Sequence, residues 1–125
     1  MKIEDIKFKA KRLDNQEWVK GDLIHSTNYI GIGYPSDVFS DVPIVHRVNP
    51  ATVCQFTGLK DCKGNEIWEG DIVERVLYDI YKGYIQKKAV IEYRNGAFVT
   101  TVDRTFYPLL PQRIKVVGNK FDKEK

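Results

Sequence analysis

The sequence predicts a mainly β protein, and three observations carry that prediction. Ile6, Phe8 and Ala10 alternate with lysines, which is the period-two pattern of a half-buried strand. Asn95-Gly96 lies between two further alternating runs and is the strongest short signal for a β-hairpin. No stretch of ten residues has a helical period. Several short strands with tight turns favour an all-β domain closed into a barrel, because closure hides the strand edges.

The N-terminal part is predicted to begin with a hairpin and continue into a long connection. Residues 6–12 and 18–24 form its two strands, with a turn at Asp14 and Asn15. Residues 26–43 follow and are rich in glycine, serine and aspartate. A connection of this length is unusual in a compact domain and is typical of a binding loop or an inserted short element. Its aromatic side chains are candidate contacts to a partner: Tyr29, Tyr34 and Phe39.

The remainder of the chain again favours strands. They are predicted at residues 44–48, 52–56, 71–77 and 114–117. The Asn95-Gly96 pair predicts a two-residue type I′ turn, because both residues tolerate positive φ. That turn fixes the register of its hairpin and places Tyr93 opposite Phe98.

Size and composition are those of an ordinary globular protein. The chain has 125 residues, of which 42% are hydrophobic and 30% charged, with a net charge of +3. This mildly basic balance is well below that of a dedicated duplex-DNA binder. No apolar run approaches the roughly 20 residues that span a bilayer, and the N-terminus has no signal-peptide pattern. We therefore expect a cytoplasmic protein with no membrane partner.

The candidate metal ligands are too few and too scattered to predict a metal site. Cys54 and Cys62 have no partner pair, and His25 and His46 are each isolated. We expect both cysteines to be thiols, Cys54 in a strand and Cys62 in a turn. A disulfide between them across a hairpin is the alternative, and a cytoplasmic setting disfavours it.

The segment QFTGLKDCKGNEIWEGDIV, at residues 55–73, contains two turns around a short aromatic run. Asp61 is predicted to begin a type I turn that it caps with its own side chain, and Gly64 to take the left-handed position. Trp68 supplies buried surface before a second turn at Gly70 and Asp71. The acidic residues lack the spacing of a calcium loop, so turn chemistry is the favoured interpretation.

This segment resembles the signature of the YopX family, small proteins of phages and bacterial prophages. The closing Val116-Val117-Gly118-Asn119 also resembles the family pattern. The resemblance implies an SH3-like small barrel at residues 53–125 and an N-terminal β extension at residues 1–52. The boundary is soft, and a single domain is the alternative. The family brings no activity that could be transferred. The signature residues expected to be structural are Gly58, Asp61, Gly64, Trp68, Gly70 and Asp71.

Catalytic chemistry is not indicated by the sequence. No nucleophile with a base, paired carboxylates or metal ligands occur at a recognisable spacing. Gly31-Ile32-Gly33 lacks the third glycine and the following helix of a phosphate-binding loop. We therefore expect a protein that is not an enzyme and uses no cofactor.

The best functional candidate is the segment YDIYKGYIQKK at residues 78–88. Its tyrosines alternate with lysines, and the candidate residues are Tyr78, Tyr81, Lys82, Tyr84, Lys87 and Lys88. Aromatic rings beside lysines bind single-stranded nucleic acid in small β-barrels. The same residues suit a protein interface, since tyrosine is enriched there. A hairpin whose lysines only keep an edge soluble is the structural alternative, and the pattern favours it.

A protein partner is the favoured expectation, and nucleic acid is the alternative. The partner is either a host protein or a second copy of the chain, because short strands and a mild net charge allow copies to pair. Pairing along an N-terminal edge or through the tyrosines of residues 78–84 would give a homo-oligomer, and a dimer by default.

Overall fold

A computed structural model describes residues 2–36 and 42–122, so the candidate Phe39 lies outside the described residues. The chain forms two compact units, Met1–Phe56 and Thr57–Lys125. It is mainly β, with two antiparallel sheets. The strands are β1 (Phe8–Lys11), β2 (Trp18–His25), β3 (Ile30–Tyr34), β4 (Ile44–Arg47), β5 (Cys54–Lys60), β6 (Glu66–Trp68), β7 (Asp71–Asp79), β8 (Gly83–Arg94), β9 (Ala97–Val102), β10 (Thr105–Pro108) and β11 (Ile114–Asn119). Short 3-10 turns precede β1, β5 and β11, at Ile3–Asp5, Pro50–Thr52 and Pro111–Arg113.

The first unit contains the strand order β4-β3-β2-β1-β5, and β5 continues into the second unit, where it is followed by β6. Ala10, Ile32 and Val48 form its buried centre. An isolated antiparallel bridge joins Arg12 to Val48, so the end of β4 returns to the end of β1. Two backbone hydrogen bonds flank that bridge, from Leu13 N to Arg47 O at 3.0 Å and from Asn49 N to Lys11 O at 2.9 Å.

The predicted N-terminal hairpin is confirmed, since β1 and β2 pair antiparallel with Lys11 opposite Trp18. The connection at residues 26–43 contains the inserted element, because Ile30–Tyr34 pairs with β2 on one side and β4 on the other. Glycines permit this packing: a Cβ on Gly21 would lie 2.2 Å from the carbonyl oxygen of Gly33. Gly31-Ile32-Gly33 is therefore part of a strand.

The second unit is built on a five-stranded antiparallel sheet with the order β10-β9-β8-β7-β11. Ile67, Val73, Ile91 and Ile114 form its buried core. The Asn95-Gly96 turn is confirmed: both residues have positive φ, 52° and 83°, and Tyr93 lies opposite Phe98.

The expectation of a closed barrel is wrong for the part of the chain that the structure describes. β10 and β11 are at opposite ends of the sheet order and do not pair with each other. β10 ends at Pro108, which has no N–H to donate to a further strand. A 3-10 turn at Pro111–Arg113 then leads the chain away before β11 begins.

Candidate functional site

The candidate site is the hairpin formed by β7 and β8. Tyr78 lies opposite Tyr84, and Asp79 opposite Gly83, so that three residues form the turn between the strands. The Asp79 carboxylate fixes this turn, because its Oδ1 accepts hydrogen bonds from the backbone N–H of Tyr81 at 2.8 Å and of Lys82 at 3.0 Å. Residues 78–84 are called the hairpin tip.

Four large side chains of the hairpin tip are mostly exposed. The exposed fractions are 66% for Tyr78, 76% for Ile80, 89% for Tyr81 and 74% for Tyr84. The Tyr78 and Tyr84 rings contact each other edge to face, with centroids 5.4 Å apart. Single exposed apolar residues are normal on a protein surface, but four within seven residues form a patch that is typical of a binding site.

The structure divides the candidate lysines between the two faces of the hairpin. Side chains alternate along a strand, so Lys88 shares a face with Tyr84 and lies opposite Glu74. Lys87 is on the other face, directly opposite Arg75. Lys82 lies in the turn itself and is exposed. The β7–β8 hairpin thus carries one lysine in its turn, Lys82, and one on each face, Lys87 and Lys88.

Ile80 completes the apolar patch and was missed by the sequence analysis, which weighed only aromatic and basic residues. Its signal was its place next to Asp79, a turn-forming residue, in a segment with alternating aromatics. An isoleucine within a tight turn cannot reach a core on either sheet face, and its exposure follows.

The candidate tyrosines of the first unit have partners within that unit. Tyr29 is half-buried, and the guanidinium of Arg47 lies 5.0 Å from its ring centre. The Tyr34 hydroxyl lies 3.0 Å from Nε2 of His46. Both tyrosines therefore help to hold the β3–β4 region together, which differs from the freely exposed side chains expected in a binding loop.

Asp61 anchors the first signature turn from a buried position. Its Oδ1 accepts hydrogen bonds from the backbone N–H groups of Lys63 at 2.9 Å and Asn65 at 2.8 Å, and its Oδ2 accepts one from Val116 on β11 at 2.8 Å. Burial opposes ionisation, but the hydrogen bonds from Val116, Asn65 and Lys63 outweigh it and hold the pKa of Asp61 below its usual range. The predicted self-capped turn is confirmed and extends to the closing strand.

Asp71 performs a similar task in the second signature turn. It is buried, and its carboxylate accepts hydrogen bonds from the Trp68 N–H at 2.7 Å and from the Asn119 side-chain amide at 3.0 Å. Trp68 is 2% exposed, as the sequence predicted. The three signature glycines all have positive φ, 84° at Gly58, 83° at Gly64 and 85° at Gly70. These hydrogen bonds, burial and backbone conformations are the ones expected of residues that hold the fold.

Arg75, on β7, is a second feature that the sequence analysis missed. It is 2% exposed and lies on the same face of β7 as the buried Val73. Its Nη1 donates hydrogen bonds to Thr100 Oγ1 and to the Pro108 carbonyl oxygen, both at 2.8 Å. The guanidinium carbon also lies 5.2 Å from the ring centre of Tyr107. Arg75 thereby ties β7 to β9 and β10.

Both cysteines are thiols, as expected, with Cys54 buried in β5 and Cys62 exposed in the turn. Within residues 2–36 and 42–122, no group of three histidine, cysteine, aspartate or glutamate side chains is close enough to hold a metal ion. The same residues include no helix that is long and apolar enough to cross a membrane.

These features define a class of mainly β protein in which two signature turns are hydrogen-bonded to the closing strand. Residues 7–123 match the model of the YopX protein family. The chain therefore belongs to the YopX family. No curated protein matches it.

Proposed function

We propose that this protein is a non-enzymatic protein-binding module whose contact surface is the hairpin tip. The observation that carries the proposal is the exposure of four large side chains, Tyr78, Ile80, Tyr81 and Tyr84, on seven consecutive residues. Tyrosine and isoleucine expose apolar surface to water at every one of these positions, which is unfavourable in free energy. A partner that covers this surface removes that unfavourable term.

The geometry of the turn supports this proposal. Asp79 holds the backbone of Tyr81 and Lys82, and the Tyr78 and Tyr84 rings support each other across the strands. A preorganised loop loses less conformational entropy on binding than a flexible one. Large aromatic residues in a fixed position are the residue type that dominates binding energy at protein interfaces.

The partner in this proposal is a host protein in the cytoplasm of a phage-carrying bacterium, or a second copy of the chain. The proposal extends the phage and prophage association of the family to this chain. It also includes an SH3-like arrangement of the second unit, because a sheet of five antiparallel strands, four of them joined by tight turns, is compatible with it.

A capture experiment with two matched variants tests the proposal. Ile80→Ser and Ile3→Ser remove the same side chain from positions that are 76% and 84% exposed. We expect the wild type and Ile3→Ser to retain the same protein from a bacterial lysate after nuclease treatment, and Ile80→Ser to lose it. Retention by Ile80→Ser, or equal loss by Ile3→Ser, would contradict the proposal.

Light scattering over a dilution series separates the two kinds of partner. A second copy as the partner predicts a mass that rises from 14.5 kDa toward twice that value, and a lower mass for Ile80→Ser at the same concentration. A mass of 14.5 kDa at all concentrations leaves a foreign protein as the partner.

Binding of single-stranded nucleic acid is the second candidate function. Lys82 in the turn and Lys88 on the face of Tyr84 are exposed near the tyrosines, and Lys87 is exposed on the other face, so rings that stack on bases would have cations near the phosphates. Such a complex weakens steeply as salt rises, whereas an aromatic protein interface weakens little. Loss of all captured material on nuclease treatment would favour this function.

A further inference from the structure

We propose that Arg75 and Lys87 form a binding site for a phosphate oxyanion on the face of the β7–β8 hairpin opposite the Tyr78–Tyr84 pair. The inference does not depend on the hairpin tip. It rests on a buried cation that lacks a counter-charge and on a second cation placed directly across from it.

Arg75 is the unusual member of this pair. Arg75 is 2% exposed, both of its side-chain hydrogen bonds leave from Nη1, and both acceptors are neutral. The Nε atom is buried and has no hydrogen-bond partner. Within residues 2–36 and 42–122, no carboxylate is within ion-pair distance of Arg75. Burial of an arginine normally brings an acidic partner, because a lone buried charge loses hydration without compensation.

Lys87 on the same face, and Arg113 at longer range, add positive charge around Arg75. Lys87 is its cross-strand partner, and residues directly opposite on paired strands share one face with Cβ atoms about 5 Å apart. Arg113 immediately precedes Ile114, which is the partner of Arg75 on the other neighbouring strand. Burial lowers the pKa of Arg75, Tyr107 opposes that shift, and Arg113 adds to it. Like charges facing each other destabilise a sheet unless an anion lies between them.

The chemistry of the two cations indicates a phosphate group. Arginine offers donors in a planar fork that suits oxyanions, and lysine adds a mobile point charge. Tyr107 lies against the guanidinium and restricts its orientation. Lys87 is exposed, so its ammonium group can meet an anion that approaches from solvent. Free phosphate and the phosphodiester of a single strand present the same oxygens.

Phosphate titration followed by NMR of the Arg75 Nε–Hε signal tests the proposal at constant ionic strength, with chloride replacing phosphate. Lys87→Gln and Lys88→Gln are matched variants, because they make the same change one residue apart on opposite faces of β8. We expect a saturable shift in the wild type, a dissociation constant about tenfold higher in Lys87→Gln and an unchanged constant in Lys88→Gln.

Two results would overturn the proposal. One is an Arg75 signal that does not move at any phosphate concentration reached. The other is equal weakening by Lys87→Gln and Lys88→Gln, which would indicate diffuse attraction to a basic surface. A single-stranded oligonucleotide as competitor then identifies the source. If the oligonucleotide competes with phosphate, the ligand is a phosphodiester. If it does not compete, the ligand is free phosphate. Either result supports an oxyanion site at Arg75 and Lys87.

Discussion

The first signature turn and the hairpin tip use the same local chemistry in opposite settings. Each begins with an aspartate whose Oδ1 accepts hydrogen bonds from two backbone N–H groups of its own turn. Asp61 is buried and also binds Val116, which is 55 positions away in the chain. Among the described residues, the Asp79 carboxylate accepts hydrogen bonds only from its own turn, and the three residues after it are exposed. A capped turn thus joins distant strands in one place and presents side chains to solvent in the other.

The largest expected effect concerns Trp68, which lies between the two signature turns. Trp68→Ala removes a side chain that is 2% exposed and should lower the free energy of unfolding by about 3–5 kcal/mol. Chemical denaturation measures the loss. Tyr81→Ala at the hairpin tip is the control and should change stability by less than about 0.5 kcal/mol. Equal stability of the two variants would contradict the assignment of structural and presenting roles.

The two capping aspartates allow a direct comparison. Asp61→Ala should cost about 3 kcal/mol, because it removes a buried acceptor that serves N–H groups on two separate segments. Asp79→Ala should cost less than about 1 kcal/mol, because water can replace an exposed acceptor. Thermal unfolding of both variants gives the difference. A cost for Asp79→Ala as large as that for Asp61→Ala would mean that the hairpin tip is itself part of the stabilising framework.

The Asn95-Gly96 turn provides an intermediate case. Gly96 has φ of 83°, and a Cβ added there would meet no other atom within 4 Å. Gly96→Val should therefore cost about 1–2 kcal/mol through backbone strain alone, since a β-branched residue is disfavoured at positive φ. Gly96→Asn is the control, because asparagine tolerates this conformation, and it should cost clearly less in the same thermal unfolding experiment.

Acid should weaken the first signature turn, which Asp61 caps. Since the pKa of Asp61 is lowered on folding, the carboxylate contributes fully above its ordinary pKa of 3.8, and that contribution is lost as pH falls through the lower folded value. The free energy of unfolding measured against pH should fall less steeply in Asp61→Asn than in the wild type over this acid range. Identical slopes would mean that Asp61 does not contribute to the loss of stability in acid.

Much of the second unit could be predicted from the sequence because its turns carry local signals. Asn95-Gly96 fixes a register through two residues that tolerate positive φ, and Asp61 and Gly64 specify their turn in the same way. The hairpin after β9 carried no such signal. Asp103 and Arg104 both adopt positive φ, 50° and 68°, without a glycine. Tertiary context there overrides a local preference.

Features that depend on distant contacts could not be predicted. β3 lies in a glycine-rich run that does not resemble a strand in sequence. Glycine suits the strand there because Gly21 closely approaches the Gly33 carbonyl, which only the structure shows. The burial of Arg75 follows from which face of β7 meets the core, and a single strand sequence does not state this. The same limit applies to Lys87 and Lys88: the pairing register, and not the sequence of β8 alone, decides which of the two lies opposite Arg75.

Site-specific photo-crosslinking tests the central claim most directly, namely that the hairpin tip is the surface that meets a partner. A benzophenone amino acid is introduced at Tyr81, which is 89% exposed, or at Tyr93, which is 55% exposed and packs against Phe98 on the neighbouring strand. After irradiation in a nuclease-treated bacterial lysate, we predict a discrete protein adduct from position 81 and none from position 93. No adduct from position 81, or the same adduct from both positions, would contradict the account.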